Sequence, residues 1–155
     1  MIQRDNRYVV RPTILCISLG ILLLLPANSI ANERIGLVKT YDPLAVAVRQ
    51  GVEYQLEKGA EIFEGDTIIT DPSGAVGIIF TDGAVLTLGP SGKLVVENFM
   101  FNPAEQKVSF ISRVAKGTVA FISGAIGRIS PKAVQFKTPT ATLGLHGTKI
   151  LIKVE

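Results

Sequence analysis

The sequence predicts an all-β fold, a single domain of many short strands and tight turns that follows a signal peptide. Three observations support this fold class. Within short segments, β-branched and aliphatic residues occupy every second position, which is the period of a half-buried strand. Glycine, proline and aspartate separate these runs at intervals of about 8–12 residues. No stretch of the mature chain keeps the apolar stripe of a helix for three turns.

The N-terminus has the three parts of a secretory signal. Its first eleven residues contain three arginines. An apolar run follows over residues 13–25, and the small residues Ser29 and Ala31 stand at the end. The apolar run is shorter than the ~20 residues that a membrane-spanning helix needs. We therefore expect residues 1–31 to be a signal peptide that is cleaved on export. An uncleaved membrane anchor is the alternative.

Net charge and cysteine content exclude several classes of function. The chain has 16 Lys and Arg against 13 Asp and Glu. Cleavage removes three arginines and one aspartate, which leaves 13 against 12, so no nucleic-acid-binding surface is expected. Cys16 is the single cysteine, and Leu15 before it does not suit a lipoprotein signal. The mature domain, residues 32–155, would therefore have no disulfide, thiolate nucleophile or cysteine metal ligand.

The mature chain reads as a series of strands. With 47% hydrophobic residues and few aromatics, it should build a core mainly of Val, Ile and Leu. Residues 32–40 lead into a bend at residues 41–43, and Leu44, Val46 and Val48 then alternate with smaller or polar residues. Strands are predicted at residues 44–49, 52–56, 62–63, 67–70, 75–81, 84–88, 93–97, 108–114, 117–122, 133–137 and 149–154.

The turns between these strands are identified by glycine. Asp71-Pro72-Ser73-Gly74 has proline at the second position of a turn and glycine at the last. Asp82-Gly83 between two apolar runs predicts a type I′ hairpin, in which both residues take positive φ. A phosphate-binding loop would need clustered glycines followed by a helix N-terminus. Because strand-like residues follow instead, we interpret the glycines as turn residues.

No set of residues forms a recognisable catalytic or metal-binding motif. His146 is the single histidine, and no serine stands in a nucleophile-elbow motif. The acid pairs Glu61/Glu64 and Asp66/Asp71 are expected to be solvated side chains or turn acceptors. They also lack the spacing of a calcium loop. We expect a protein without enzymatic activity, without a cofactor and without an identifiable small-molecule substrate.

Four blocks of sequence follow one another in the mature chain: GDTIIT (65–70), FTDGAVLTLGPSGKLVVENF (80–99), KGTVAFISG (116–124) and TPTATLGLHGT (138–148). Together they resemble the FecR domain, named after the periplasmic half of the ferric-citrate transport regulator. The resemblance extends over about residues 36–154. It implies short coiled strands in a fold between a sandwich and a β-helix. It also implies a receiver of signals from another envelope protein.

The same resemblance marks candidate interaction positions. In the last block the family commonly has an arginine where His146 stands; the histidine either replaces it in part, with sensitivity to pH, or simply fills a turn. Only a dozen residues precede the apolar run, too few for an anti-sigma segment, so the chain resembles the exported module alone. The candidate positions are Gly65, Asp66, Asp82, Gly83, Thr138, Pro139, Gly144, His146, Gly147 and Thr148.

Three functions stay open at this point. The first is a periplasmic or secreted module for sensing or protein interaction, which binds another envelope protein through its β surface or a free strand edge. The second is a structural or adhesive envelope protein without a signalling role. The third is a hydrolase whose activity would be lost in His146→Ala. No nucleic-acid partner is expected, and contact with the membrane is expected only if the N-terminal segment stays uncleaved.

Overall fold

The computed structural model describes residues 33–42 and 44–155, and the predicted signal peptide lies outside them. The all-β prediction is confirmed, because strands dominate this part of the chain. Its helical segments are α1 (Ala125–Ile129) and the 3-10 turns Pro103–Glu105 and Pro131–Ala133. The strands are β1 (Arg34–Tyr41), β2 (Ala45–Arg49), β3 (Val52–Gln55), β4 (Glu61–Phe63), β5 (Thr67–Thr70), β6 (Val76–Phe80), β7 (Val85–Leu88), β8 (Lys93–Asn102), β9 (Lys107–Ile122), β10 (Val134–Lys137), β11 (Thr142–Gly144) and β12 (Lys149–Val154).

The strands form two sheets that share β9. Sheet A has the order β4-β1-β6-β7-β9-β12, and all its neighbours are antiparallel. Sheet B has the order β3-β2-β5-β8-β9-β10-β11, in which β9 and β10 are parallel. The first half of β9 pairs in sheet B and the second half pairs in sheet A. This strand therefore carries the chain from one sheet into the other, as strands at sandwich corners do.

A bend at Gly117 lets β9 change sheets. The ladder with β8 ends one residue before Gly117, and the ladder with β12 reaches Gly117 itself. Gly117 has φ of 94°, and a Cβ atom there would lie 2.5 Å from the Cα of Gly92. The sequence predicted separate strands at residues 108–114 and 117–122. The structure instead has one long strand, because glycine allows the bend without a break in pairing.

A cluster of phenylalanines joins the two sheets. The ring of Phe80 in sheet A lies 4.9 Å from that of Phe110 in sheet B, and Phe121 lies 4.9 Å from Phe136. Phe110, Phe121 and Phe136 are the largest fully buried side chains of the described residues, and burial of each contributes about 2–3 kcal/mol. The prediction of a core mainly of Val, Ile and Leu is confirmed, and phenylalanine fills its centre.

Strand β2 buries the face opposite to its valines. Ala45 and Ala47 are fully buried, whereas Val46 and Val48 are half-buried on the outer face of sheet B. Ala47 is the cross-strand partner of Ile68, which is also fully buried. The small alanines leave room for such larger neighbours at this margin of the core. Alternation was predicted correctly, but the apolar valines do not mark the buried side.

The β6–β7 hairpin forms where Asp82-Gly83 predicted it, but its turn is not type I′. The Phe80 N–H donates to the Ala84 carbonyl at 2.9 Å, so residues 81–83 form a three-residue loop. Gly83 has φ of 82°, whereas Asp82 has no positive φ. This pattern is typical of three-residue hairpin loops with one left-handed residue. The Asp82 carboxylate fixes the turn by accepting the Ala84 N–H at 3.0 Å.

Candidate functional site

The structure distributes the predicted interaction positions over four connections. Two of these connections contact the segment of residues 123–126. Asp82 accepts hydrogen bonds from the start of α1, and the Thr148 carbonyl accepts the Ser123 N–H at 2.8 Å. The positions fall as follows: Gly65 and Asp66 between β4 and β5; Asp82 and Gly83 between β6 and β7; Thr138 and Pro139 between β10 and β11; Gly144 at the end of β11; and His146, Gly147 and Thr148 before β12.

Asp66 is the partner of a buried ion pair. Its side chain is fully buried, and its two oxygens accept Nε and Nη2 of Arg49 at 2.7 and 2.8 Å. The Phe63 N–H donates to the same carboxylate at 2.9 Å. Of the two expectations for Asp66, the solvated side chain is therefore wrong, and the turn acceptor is right. A bidentate arginine supplies the hydrogen bonds that the buried carboxylate would otherwise take from water.

Arg49 connects the margins of the two sheets. Its guanidinium carbon lies 4.0 Å from the ring centre of Phe63 and 5.0 Å from that of Tyr54, and Nη2 also donates to the Glu61 carbonyl at 3.2 Å. The hydrogen bond to Asp66 raises the pKa of Arg49 above its ordinary value. A cleft of about 350 Å³ adjoins this cluster. Because Asp66 already neutralises the arginine in its wall, the cluster is best interpreted as a structural link between β2 and β4.

Asp82 holds the beginning of α1. Its Oδ2 accepts the Ile126 N–H at 3.2 Å, and its carbonyl accepts the Ala125 N–H at 2.9 Å. The first N–H groups of a helix have no partner within the helix, so a carboxylate there replaces a local N-cap. Gly124 makes this approach close, because a Cβ on it would lie 2.4 Å from the Ala84 nitrogen. The burial of Asp82 is therefore explained by its structural role at the start of α1.

The block TPTATLGLHGT closes the β10–β11 hairpin and returns to the core. The Thr138 N–H donates to the Ala141 carbonyl at 2.8 Å, and the Ala141 N–H donates to Oγ1 of Thr138 at 3.0 Å. Pro139 is exposed in this turn. Leu145 is buried after β11, and His146 follows it as an exposed residue. The block is thus anchored at Leu145 and exposed on both sides of it.

The outer face of sheet B carries an ion-pair network that the sequence did not reveal. Glu97 on β8 accepts hydrogen bonds from Arg113 on β9 and, at 2.8 Å, from Lys137 on β10. The hydrogen bond from Lys137, followed by that from Arg113, lowers the pKa of Glu97 despite its partial burial. Glu97 and Lys137 are 40 residues apart, and only the order of the strands brings them together.

Strand β12 is an edge strand with free backbone groups. It pairs with β9 on one side, and none of the strands in residues 33–155 pairs with its other side. The Thr148 carbonyl accepts the Ser123 N–H, so Thr148 is a hydrogen-bonded position of the antiparallel ladder. Because such positions alternate, every second residue of β12 from Ile150 onward is also hydrogen-bonded to β9. The intervening residues point their backbone N–H and C=O groups away from β9: Lys149, Leu151 and Lys153.

A groove of about 450 Å³ lies between this free edge and the β10–β11 hairpin. Residues 151–155 line one wall, and residues 138–140 with Leu143 line the other. Leu151 is 73% exposed, the largest value among the exposed large hydrophobic side chains that the structure describes. The free edge therefore borders space for an extended segment. The lysines at both ends of the aliphatic run in KILIK are a sequence signal for such an edge, since lysines often mark one.

The described part of the chain contains neither a metal-binding cluster nor a membrane-spanning helix. No three His, Cys, Asp or Glu side chains within it are grouped to hold a metal ion. It also contains no helix with the length and apolar character needed to cross a membrane.

Comparison with known proteins gives little further information. No protein-family model matches the chain, and no curated protein does. One solved structure, described as a "Cell surface anchoring domain", is similar at 32% sequence identity over 39% of this chain and 82% of its own, with a TM-score of 0.38. A TM-score this low does not establish a shared fold.

Proposed function

We propose that this chain is an exported, non-enzymatic domain that binds another protein of the cell envelope by strand addition at β12. The observation that carries this proposal is the free edge of β12 beside its groove. An unpaired edge accepts an extended segment because main-chain hydrogen bonds continue the sheet. Export is supported by the predicted signal peptide, and a sensory role by the resemblance to the FecR domain.

The side chains of β12 favour a foreign strand over a second β12. Lys149 and Lys153 flank Leu151 on one face of the strand. Antiparallel pairing of two β12 strands about Leu151 would place Lys149 opposite Lys153 of the other copy, and directly opposed like charges are destabilising. Lys153 also contacts Glu155 at 3.0 Å in an exposed ion pair, which a partner carboxylate can replace. The expected partner strand therefore carries two acidic residues around an apolar one.

Substitution of Leu151 separates backbone pairing from side-chain contact. Leu151→Pro removes the free N–H without touching the hydrogen bonds to β9, and proline is tolerated where an edge N–H faces solvent. Leu151→Ala keeps the N–H and shortens the side chain. With the processed chain as bait in envelope extract, we expect the wild type and Leu151→Ala to retain the same protein and Leu151→Pro to lose it.

Two outcomes would contradict strand addition. One is retention of that protein by Leu151→Pro, and the other is recovery of no specific protein by the wild type. Amide exchange gives a second readout, because the free N–H groups of Leu151 and Lys153 should become protected only when the partner is bound.

The absence of enzymatic activity has its own test. We expect the purified chain to hydrolyse none of a broad set of ester, peptide and glycoside substrates. Activity that disappears in His146→Ala would overturn this part of the proposal and would favour the hydrolase.

A further inference from the structure

The outer face of sheet A is apolar between its two edge strands. Residues in direct cross-strand register form one row, which runs from β4 through β1, β6, β7 and β9 to β12. The chain neighbours of its central members, Val38, Ile78, Leu86 and Phe121, are buried, so the row itself faces outward. In order, this aliphatic row consists of Glu61, Leu37, Ile79, Val85, Ile122 and Lys149.

A second row beside it consists of small, threonine and leucine side chains. Its members are again in register across the sheet. A notch of about 110 Å³ adjoins Gly77 and is lined by Thr40 and Thr87, and the Thr40 hydroxyl occupies the space that a side chain at Gly77 would take. In order from β1 to β12, this second row consists of Thr40, Gly77, Thr87, Ala120 and Leu151.

The outer face of sheet B differs in charge. It carries Glu97, Arg113 and Lys137 near its centre, together with Lys93 and Glu53. In the aliphatic row of sheet A, the charged residues are its two ends, Glu61 and Lys149. A face that lacks charge at its centre and carries it at its rim has the composition of a protein interface.

We propose that the outer face of sheet A is the interface of a weak homodimer, in which two copies pack face to face about a two-fold axis parallel to the strands. If the axis lies between β6 and β7, the aliphatic row of the second copy lies over that of the first in the opposite strand order. Leu37 then lies over Ile122 of the second copy, and Ile79 lies over its Val85. Face-to-face packing of twisted sheets with nearly aligned strands is the common arrangement, and a two-fold axis makes each contact occur twice.

The ends of the row are complementary in this arrangement. Glu61 of each copy lies over Lys149 of the other. Glu61 contacts Arg34 through Oε1 at 3.3 Å in an exposed pair, which leaves Oε2 for the lysine. The same axis places exposed Thr87 over the notch at Gly77. A two-fold axis parallel to the row would instead oppose like charges at both ends, which disfavours it.

The small size of the face favours a weak dimer. Strands lie about 4.8 Å apart, so six strands give a face roughly 24 Å wide. Two such faces bury on the order of 1,000 Å² in total, which is near the lower limit of specific interfaces. We therefore expect a dissociation constant of about 1 μM or weaker.

Sedimentation velocity of the processed chain over a dilution series tests the interface. We expect Val85→Lys to weaken dimerisation by at least about tenfold, because it buries a charge at the centre of the apolar row. Val48→Lys is the matched control, since Val48 is a half-buried valine on the outer face of sheet B with Glu53 as a cross-strand neighbour. It should leave dimerisation unchanged. A wild type that stays monomeric at its highest soluble concentration, a dimer that persists in Val85→Lys, or equal weakening by Val48→Lys would overturn the proposal.

Charge exchange tests the orientation with variants at the rim. Glu61→Lys and Lys149→Glu should each weaken the dimer, and the double variant should restore it. Weakening that persists in the double variant would overturn the two-fold axis parallel to the strands. Lys149 and Leu151 on β12 belong to both proposed surfaces, whereas Val85 lies on β7, two strands away from β12, and takes no part in strand addition. Val85→Lys therefore tests the dimer interface without altering the strand edge at β12.

Discussion

Gly117 and Gly92 meet backbone to backbone where β9 passes from one sheet to the other. A Cβ on Gly117 would lie 2.5 Å from the Cα of Gly92 and 3.1 Å from its nitrogen. The Gly92 N–H donates to the hydroxyl of buried Thr70 at 2.8 Å, and that hydroxyl donates to the Gly89 carbonyl at 2.7 Å. A hydrogen-bonded threonine thus fixes the loop against which β9 bends, so the contact between the sheets depends on these glycines.

We expect Gly117→Ala to lower the free energy of unfolding by about 3 kcal/mol or more. Alanine would have to hold a positive φ and displace backbone atoms, and backbone strain of this kind costs about 1–3 kcal/mol before any clash. The measurement is urea denaturation. Gly144→Ala is the control, because nothing lies within 4 Å of a Cβ there, and it should change stability by less than about 1 kcal/mol. A loss under about 1 kcal/mol at Gly117 would show that the bend relaxes.

Asp66→Asn should destabilise the domain by about 2–3 kcal/mol. It leaves the guanidinium of Arg49, whose side chain is 25% exposed, without its counter-charge, and removal of one partner of a buried pair is costly. Glu61→Gln is the comparison, since it removes an exposed ion pair with Arg34 and should cost less than about 1 kcal/mol. Thermal and urea unfolding of both variants give the two values. Equal effects would mean that the Arg49–Asp66 pair does not connect the sheet margins.

Asp82→Ala should cost about 1–2 kcal/mol and should loosen α1 locally. The carboxylate accepts N–H groups from Ala84 and Ile126, and loss of a capping acceptor typically has this magnitude. Hydrogen exchange should report faster exchange at Ile126. Asp71→Ala, a change at an exposed turn aspartate, should stay within about 0.5 kcal/mol of the wild type. Unchanged exchange at Ile126 in Asp82→Ala would contradict the cap.

The local features of the fold could be predicted from the sequence. The strand at residues 67–70 is reproduced as Thr67–Thr70, and the one at residues 149–154 as Lys149–Val154. Gly83 lies in a turn at the predicted place. Alternation and turn residues act over a few positions, so one chain segment contains the whole signal.

The contacts that define the sites could not be predicted, because they depend on strand order. Arg49 and Asp66 are 17 residues apart, and Asp82 and Ile126 are 44 apart. No periodicity connects such positions. The buried face of β2 was also ambiguous, because alanines alternate with valines and both are apolar. The cross-strand register that aligns Leu37 with Ile122 through two intervening strands likewise exists only in the assembled sheet.

The network around Glu97 predicts a pH dependence of stability with a definite sign. Its hydrogen bond from Lys137, followed by that from Arg113, lowers the pKa of Glu97 below the ordinary value of 4.5. A carboxylate with a lowered pKa stabilises the folded state above its ordinary pKa, and this contribution is lost as the pH falls through the folded-state pKa. Because Arg113 and Lys137 are 51% and 35% exposed, solvent weakens the effect. We expect Glu97→Gln to cost about 1 kcal/mol or less at neutral pH.

The difference between the wild type and Glu97→Gln should shrink towards zero as the pH is lowered from about 7 to about 3, because the wild-type carboxyl then becomes neutral as well. Urea unfolding at a series of pH values measures it. Glu105→Gln is the matched control: Glu105 contacts Lys107 at 2.8 Å, but both side chains are more than half exposed, so its difference should stay within about 0.5 kcal/mol throughout. A difference at Glu97 that is constant with pH, or that grows in acid, would mean that the lysine and arginine do not favour its charged form.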